Sequence, residues 1–244
     1  MVKKVLEKQR HCAIINKIIQ SELCINCNTN EGKELKPFSH FKTITYHRFL
    51  VCKGCFAVGL YYQGLVHDLS KYSPEEFLRG ARYYQGYRSP NNAEREDLGY
   101  SAAWLHHKGR NKHHFEYWID FIFSPEEKKG VLAPVPMPER YIVEMYMDRL
   151  AASKVYKGDA YRDIDPYLYY KKGNISDLLH PQTKRLLEIL LLMNARYGEE
   201  VTFRYIRTHV LNKGKKKKYR KHRQKKDKSN DTQTKYTELE MTRS

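Results

Sequence analysis

An imidazole and a carboxylate stand on adjacent residues, His67 and Asp68, in the stretch HDLSKYS, and Lys71 follows within a turn. Neutral imidazole and carboxylate are ordinary ligands of Zn, Fe and Mn, so an adjacent pair can close on one ion. A lysine beside such an ion can hold an anionic oxygen such as that of a phosphate. By itself the dipeptide is weak, because a lone His-Asp more often caps or solvates a helix end. Its company gives it weight. HHKGRNKHH carries four of the chain's 11 histidines, His47 lies upstream, and Asp148 sits in a helical pattern further on. A chain with this many ligand-type residues on separate segments is constrained to a fold that gathers them.

The length, 244 residues, allows one good core with appendages. With 41% hydrophobic and 30% charged residues the composition is that of a globular chain, and no apolar run approaches the roughly 18 residues of a membrane span. LLEILLLM, at 186–193, reads as a buried helix. The N-terminal MVKKVLEKQRHCAIINKIIQ is basic and then apolar, but Lys17 interrupts it and no small-residue cleavage site follows. The expectation is a cytoplasmic protein with no membrane partner. The formal charge of +17 is uneven, since eleven Lys or Arg and a single Asp fall between Lys213 and Lys228.

Five cysteines include two CxxC pairs, Cys24–Cys27 in CINC and Cys52–Cys55 in CKGC. The spacing permits a four-thiolate zinc site, and an odd cysteine count argues against a disulfide framework. Against zinc, Cys52 and Cys55 fall in an apolar helical segment where they would be small core residues. Both readings stay open here.

Taken in order, residues 1–22 read as an amphipathic helix and 23–37 as a loop closed by Pro37. A helix follows from Thr43 to Tyr62, apolar nearly all round and therefore central. Ser73-Pro74-Glu75-Glu76 has the cap, proline and acids of a helix start, which leaves both glutamates as helix-start charges. RYYQGYRSPNN is a loop of the kind that binds substrate beside metal sites. Residues 93–107 read as a helix, KGRN as a turn with a break at Gly109, and HHFEYWIDFI as a buried segment. PEEKKGVLAPVPMP is a proline-punctuated connection to a helix over 139–156, where Ala151 and Ala152 leave room beside Asp148. His180-Pro181 starts a helix that Gly198 breaks, and a last helix runs over 199–211. No period-2 alternation is long enough for a strand. The expected fold is an all-α helical bundle, in three parts: 1–36 with the N-terminal helix and CINC, 37–211 as the metal-binding domain, and a disordered Lys/Arg-rich tail from 212 to 244.

The order His … His-Asp … Asp resembles the HD-domain superfamily of metal-dependent phosphohydrolases, a helical bundle with inward-facing ligands. The segments GLYYQGLVHDLSKYSPEEF, RYYQGYRSPN, AWLHHKGRNKHHFEYW and MDRLAASKVY are more closely similar to a family of short bacterial and phage proteins known only as a domain of unknown function. The resemblance spans about 37 to 200. It implies a first metal on His47, His67, Asp68 and Asp148, and a second on histidines of the insertion, from His107, His113 and His114, with Asp68 as a bridge; whether His106 or His107 faces the ion is open. Lys71 matches a lysine that follows the His-Asp pair in several phosphodiesterases of the superfamily. The Gly-Tyr-Pro signature of the cyclic-dinucleotide branch is absent.

These residues imply one or two divalent transition-metal ions, from Mn, Fe, Zn, Co and Ni, and an activated water. With Lys71, Asp68, Arg110 and Asn111 as catalytic candidates and Glu116 as a partner that fixes a histidine tautomer, the expected activity is hydrolysis of a small phosphoester such as a nucleotide. Any single buried histidine is more often a hydrogen-bonded core residue, but packing has no need of six in this order. Trp104, Tyr117 and Trp118 read as core. Two rivals stand beside hydrolysis: a di-iron oxygenase with the same ligand order, and a non-enzymatic nucleic-acid-binding protein with a structural metal. In the second, Lys215, Lys216, Lys217, Lys218 and Arg220 would contact phosphates without reading sequence.

Overall fold

The computed structural model describes residues 35–212 except 125 and 127. The expected N-terminal helix, the CINC pair and the basic tail lie outside the described residues. Helix α1 (Pro37–Ala57) is followed by α2 (Tyr61–Val66), α3 (Pro74–Arg82), α4 (Pro90–Leu98) and α5 (Ala102–Lys108). A hairpin of β1 (Ile119–Ser124) and β2 (Lys129–Pro134) leads to α6 (Glu139–Lys157), α7 (Asp165–Lys172) and α8 (Pro181–Tyr205). The fold is mostly helical, as the sequence implies.

Several boundaries differ from expectation for identifiable reasons. Pro37 opens α1 instead of closing a loop, since its fixed φ suits the first helical position. That helix ends at Ala57, where the amides of Val58 and Gly59 turn back to the carbonyls of Cys55 and Phe56. It is not buried all round: Phe38, Phe41 and Phe49 are exposed, while Ile44, Val51 and Cys55 face the core. The expected helix over 93–107 is two, because Gly99 takes a left-handed φ of 79° and Ser101 starts the next by accepting from the Trp104 amide at 3.0 Å. The expected starts at Ser73 and His180 hold, with the Ser73 hydroxyl accepting from Glu76 N and the His180 ring from Gln182 N. Gly198 kinks α8 at φ 77°, and the chain then coils on as far as Val210.

The hairpin is the clearest correction. Ile119 to Ser124 pairs antiparallel with Lys129 to Pro134, with Phe121 opposite Leu132. Apolar residues crowd both faces, so no alternation betrays the strands. Enrichment in Phe, Ile and Val was the available signal. Nor is the segment buried: Phe121 and Phe123 are exposed, and the Val135 amide returns to the Trp118 carbonyl at 2.8 Å.

The core is α6 between α1 and α8. Val51 and Cys55 of α1, Val143, Met147 and Leu150 of α6, and Leu187, Leu190 and Leu191 of α8 are buried together. Tyr146 extends its hydroxyl through this core to donate to Asn194 Oδ1 at 2.8 Å, and Asn194 Nδ2 donates to the Asp163 carbonyl at 2.7 Å. These bonds leave neither buried group unpaired.

A second contact locks α3 onto α1. Gly80 receives the His40 ring so closely that a Cβ there would stand 2.6 Å from Cε1 and nearer still to Nε2. The ring is confined by Phe77 and Tyr84 at centroid distances of 5.4 and 5.9 Å. Gly80→Ala would gain about 1 kcal/mol in helix propensity, but overpacking costs about 1–3 kcal/mol. The variant is therefore expected to unfold at lower urea than wild type. A midpoint at or above the wild-type value would show that His40 can move aside.

Candidate metal centre

The chain approaches the centre through an abrupt backbone step. Helix α2 ends at Val66, and Asp68 takes the left-handed conformation, φ 54° and ψ 25°, before a short 3-10 turn over Leu69–Tyr72. Neighbours in a continuous helix point about 100° apart. The left-handed step lets His67 and Asp68 enter one cavity, and Asp tolerates it better than most residues. Arg48 of α1 holds the step by donating to the carbonyls of His67 at 2.7 Å and Leu65 at 3.1 Å. His47 precedes Arg48 on the same helix. Glu144 and Asp148 lie one turn apart on α6 and share a face. His107 ends α5, and the turn after Gly109 returns His113 and His114 to the same place.

Three groups of ligand atoms result, two of them sharing Asp68. His47, His67, Asp68 and Asp148 form the first, Asp68, His107, His113 and His114 the second, and His67, His113 and Glu144 the third, each with all ligand atoms within 4.8 Å of one another. In the first, His47 Nε2 lies 3.0 Å from Asp148 Oδ1 and 3.7 Å from Asp68 Oδ2, and His67 Nε2 lies 3.4 Å from Asp68 Oδ2. In the second, Asp68 Oδ1 lies 3.2 Å from His107 Nε2 and 3.3 Å from His113 Nε2. Asp68 therefore divides its two oxygens between the sets. Ligands about 2.0–2.2 Å from a shared cation are spaced roughly 3.0–3.6 Å apart, which all of these distances match except the slightly longer one between His47 and Asp68.

The donor chemistry fits as well. The Nε2 atoms of His47, His67, His107, His113 and His114, together with Asp68 Oδ1, are shut off from solvent and make no hydrogen bond. Buried polar atoms are normally paired, so six such atoms crowded together make a centre that could hold a cation. The opposite ring nitrogens are engaged: His67 Nδ1 and His113 Nδ1 lie 2.9 and 3.2 Å from Glu144 Oε1, and His107 Nδ1 lies 2.8 Å from Glu76 Oε2. An Nδ1–H donated to a carboxylate leaves the Nε2 lone pair aimed at the centre, the usual support for a metal-bound imidazole.

The carboxylates act on the imidazoles in turn: burial would lower the proton affinity of His67, but Asp68, Asp148 and Glu144 outweigh it and raise that affinity, and against burial Asp68 and Glu76 raise that of His107. Burial alone would raise the Asp68 carboxyl, but His67, Lys71 and His107 outweigh it and hold the group well below the usual carboxylate range. Burial would likewise raise Asp148, and the neighbouring His47 and His67 imidazoles outweigh it and hold the carboxyl well below the usual range. Lys71 Nζ stands 2.6 Å from Asp68 Oδ2, and Asp68 and Asp148 raise its proton affinity against the effect of burial. Burial, and then His113 and His107, push His114 well down, so it stays a neutral donor. His40 nearby is lowered to about 4 by burial and by Lys71.

Of the other expected site residues, Asn111 donates to Ser70 Oγ and the His107 carbonyl, both at 2.8 Å, and so positions His107. Arg110 is exposed on the turn and donates to the His106 carbonyl. His106 faces outward to Glu76 at 2.6 Å, which leaves His107 as the inward member of the pair. Glu116 Oε1 accepts from Trp104 Nε1 at 3.3 Å and not from a ligand histidine. Cys55 is a core residue whose thiol burial and Glu144 push up, away from thiolate character; Cys24 and Cys27, with which a zinc site is one of two readings, lie outside the described residues. Glu144 and Glu76 are the residues that sequence reasoning missed. Glu144 was visible as a neighbour of Asp148 four positions away. Glu76 carried no signal that separates it from a helix-start charge.

A cavity of about 1040 Å³ opens beside the centre, at the upper end of the size usual for small-molecule sites. Its wall includes Lys71, Asp148 and His114, residues 87–92, where the expected Tyr-Arg-Asn loop already turns into α4 at Pro90, and Trp104, which the sequence placed in the core. Six cations, Lys71, Arg88, Arg95, Arg149, Lys157 and Lys172, face it against the carboxyls of Glu76, Glu116, Asp148 and Asp165.

Compared with known families, residues 36–193 match the family of unknown function DUF5662, about two-thirds of the chain. The chain belongs to this family. The match takes in every residue of the candidate ligand groups of this DUF5662 member. No curated protein and no solved structure matches the chain significantly. No helix among the described residues is long and apolar enough to cross a membrane.

Proposed function

We propose that the chain is a metal-dependent hydrolase of a small phosphoester, with two divalent transition-metal ions joined by Asp68. The observation that carries this reading is the bridging position of Asp68 between two sets of unpartnered ligand atoms at the edge of a cation-rich cavity. The resemblance to HD-domain phosphohydrolases supports the same chemistry. Bound ions of this kind would supply a water that deprotonates near neutral pH and positive charge for the phosphoryl oxygens.

The chain's own residues do the rest. Glu144 and Glu76 hold the imidazoles in the tautomer that offers Nε2. Lys71, anchored by Asp68 and lining the cavity, is placed to neutralise a phosphoryl oxygen. Asn111 and Ser70 keep His107 in register. Arg110, exposed and turned to a backbone carbonyl, has no part in this scheme.

Elemental analysis of protein purified without added metal is expected to find close to two ions per chain. Phosphate release is expected from a member of a nucleotide panel and is expected to stop after chelation. A metal count near zero would remove the proposal. Iron with oxygen consumption and no phosphate release would replace it with the oxygenase reading, which the same ligands suit.

A further inference from the structure

We propose that the Tyr156 hydroxyl, with the Lys71 ammonium, holds an oxygen of a phosphate-type anion beside the metal-ligand sets, which makes Tyr156 a substrate-binding residue. That the anion is the phosphoryl group of the substrate rests on the hydrolase reading, whereas the anion contact does not.

Tyr156 stands on α6 eight residues after Asp148, with Ala152 midway between them. Eight residues are a little over two turns, so the three share a side of the helix, and all three line the cavity. Their rise sets the backbones of Asp148 and Tyr156 about 12 Å apart. A long side chain on a helix leans back over the turn before it, and the intervening Ala152 offers only a methyl. The phenol and the carboxylate therefore bound a slot of the cavity with little side-chain bulk between them. The charges place Lys71 at the same slot. Burial pushes the Tyr156 hydroxyl up to about 12, and Lys71 is the charge that most opposes this, while Tyr156 acts on Lys71 in return. The phenol therefore keeps its proton, and remains a donor, throughout the neutral range.

That donor is free. Among the described residues the Tyr156 hydroxyl has no hydrogen-bond partner, and it is not among the side-chain atoms shut off from solvent. The Tyr84 hydroxyl on the same wall is engaged with Thr43 at 2.7 Å. Lys71 Nζ meets Asp68 Oδ2, and an ammonium has three N–H groups, so donors remain on it as well. Two donors, one of them charged, ask for an anion with oxygens to offer both. A carboxylate has two oxygens, which a pair of ions would take. A tetrahedral oxyanion has oxygens left for the ammonium and the phenol.

The test titrates inorganic phosphate into the full-length, zinc-loaded protein by calorimetry. Tyr156→Phe keeps the ring and removes only the hydroxyl, and it is expected to bind phosphate about tenfold or more weaker than wild type, as for a lost bond to a charged group. Its metal count should be that of wild type and its melting temperature within about 2 °C, because the hydroxyl bonds nothing in the protein. Tyr169→Phe makes the same change on a ring of the same wall that is 55% exposed, and should alter phosphate binding less than about twofold. For any phosphoester that is hydrolysed, kcat/KM is expected to fall in Tyr156→Phe by a factor similar to that in phosphate binding. The proposal is overturned if wild type binds no phosphate, if Tyr156→Phe binds it within about twofold of wild type, if Tyr169→Phe loses as much, or if the loss comes with a lower metal count or melting temperature. Phosphate binding that depends on Tyr156, in a protein that releases phosphate from no nucleotide, would uphold the anion contact and reject the hydrolase reading alone.

Discussion

Asp68→Ala, purified without added metal, is expected to contain no transition metal and to lose phosphate release by at least about 10³-fold. No other residue contributes to both ligand sets. Its Oδ2 faces His47 and His67, and its Oδ1 faces His107 and His113. Removing it takes one of two carboxylates from the first set and the only carboxylate from the second, and also frees Lys71, whose ammonium leans on Oδ2 at 2.6 Å. Asp148→Ala is the informative contrast, because it belongs to the first set alone and should leave the second ion in place. Elemental analysis of the two variants beside wild type reads the difference directly. Two ions retained in Asp68→Ala, or full turnover, would show that the carboxylate is structural and end the metal-bridge reading.

The second large effect concerns two residues outside the ligand groups that share Asp68. Glu144 Oε1 serves His67 of the first set and His113 of the second, whereas Glu76 Oε2 serves His107 of the second only. Loss of such a supporting carboxylate typically costs about 10–100-fold in metal affinity. Glu144→Gln is therefore expected to weaken both ions by that factor, and Glu76→Gln only one of the two. Competition with a chromophoric chelator resolves the two affinities. Equal losses at both sites in Glu76→Gln, or none in Glu144→Gln, would mean that the rings are oriented by packing and not by these bonds. The glutamine substitutions keep the shape of each side chain, so a fall in affinity cannot be laid to a cavity.

Both effects arise from residues whose roles differed in legibility. His67 and Asp68 were readable because two ligand types on adjacent positions are informative wherever they lie. Asp148 was readable from the small residues that follow it and from the order of the ligands along the chain. Glu76 was not, since an acid in the first turn of a helix is equally well explained by the helix dipole. The same limit applies to the hairpin. IDFIFS and KGVLAP lack the alternation that marks a half-buried strand, because they form a two-stranded ribbon that is largely exposed on both faces. The exposed face of α1 was misjudged for a related reason, as apolar residues alone do not say which of them meet a partner.

Local chemistry determined the helical class, most helix starts and breaks, and the residues able to bind a cation. Capping, proline and glycine geometry and ligand type all act within a few positions of the chain. Only the tertiary structure decided that His107 and not His106 turns inward, and that Asp68 joins two groups of ligand atoms through a left-handed step. Those facts depend on α1, α5 and α6 approaching across long stretches of chain, and the direction of a side chain follows from that packing and from no short pattern of residues.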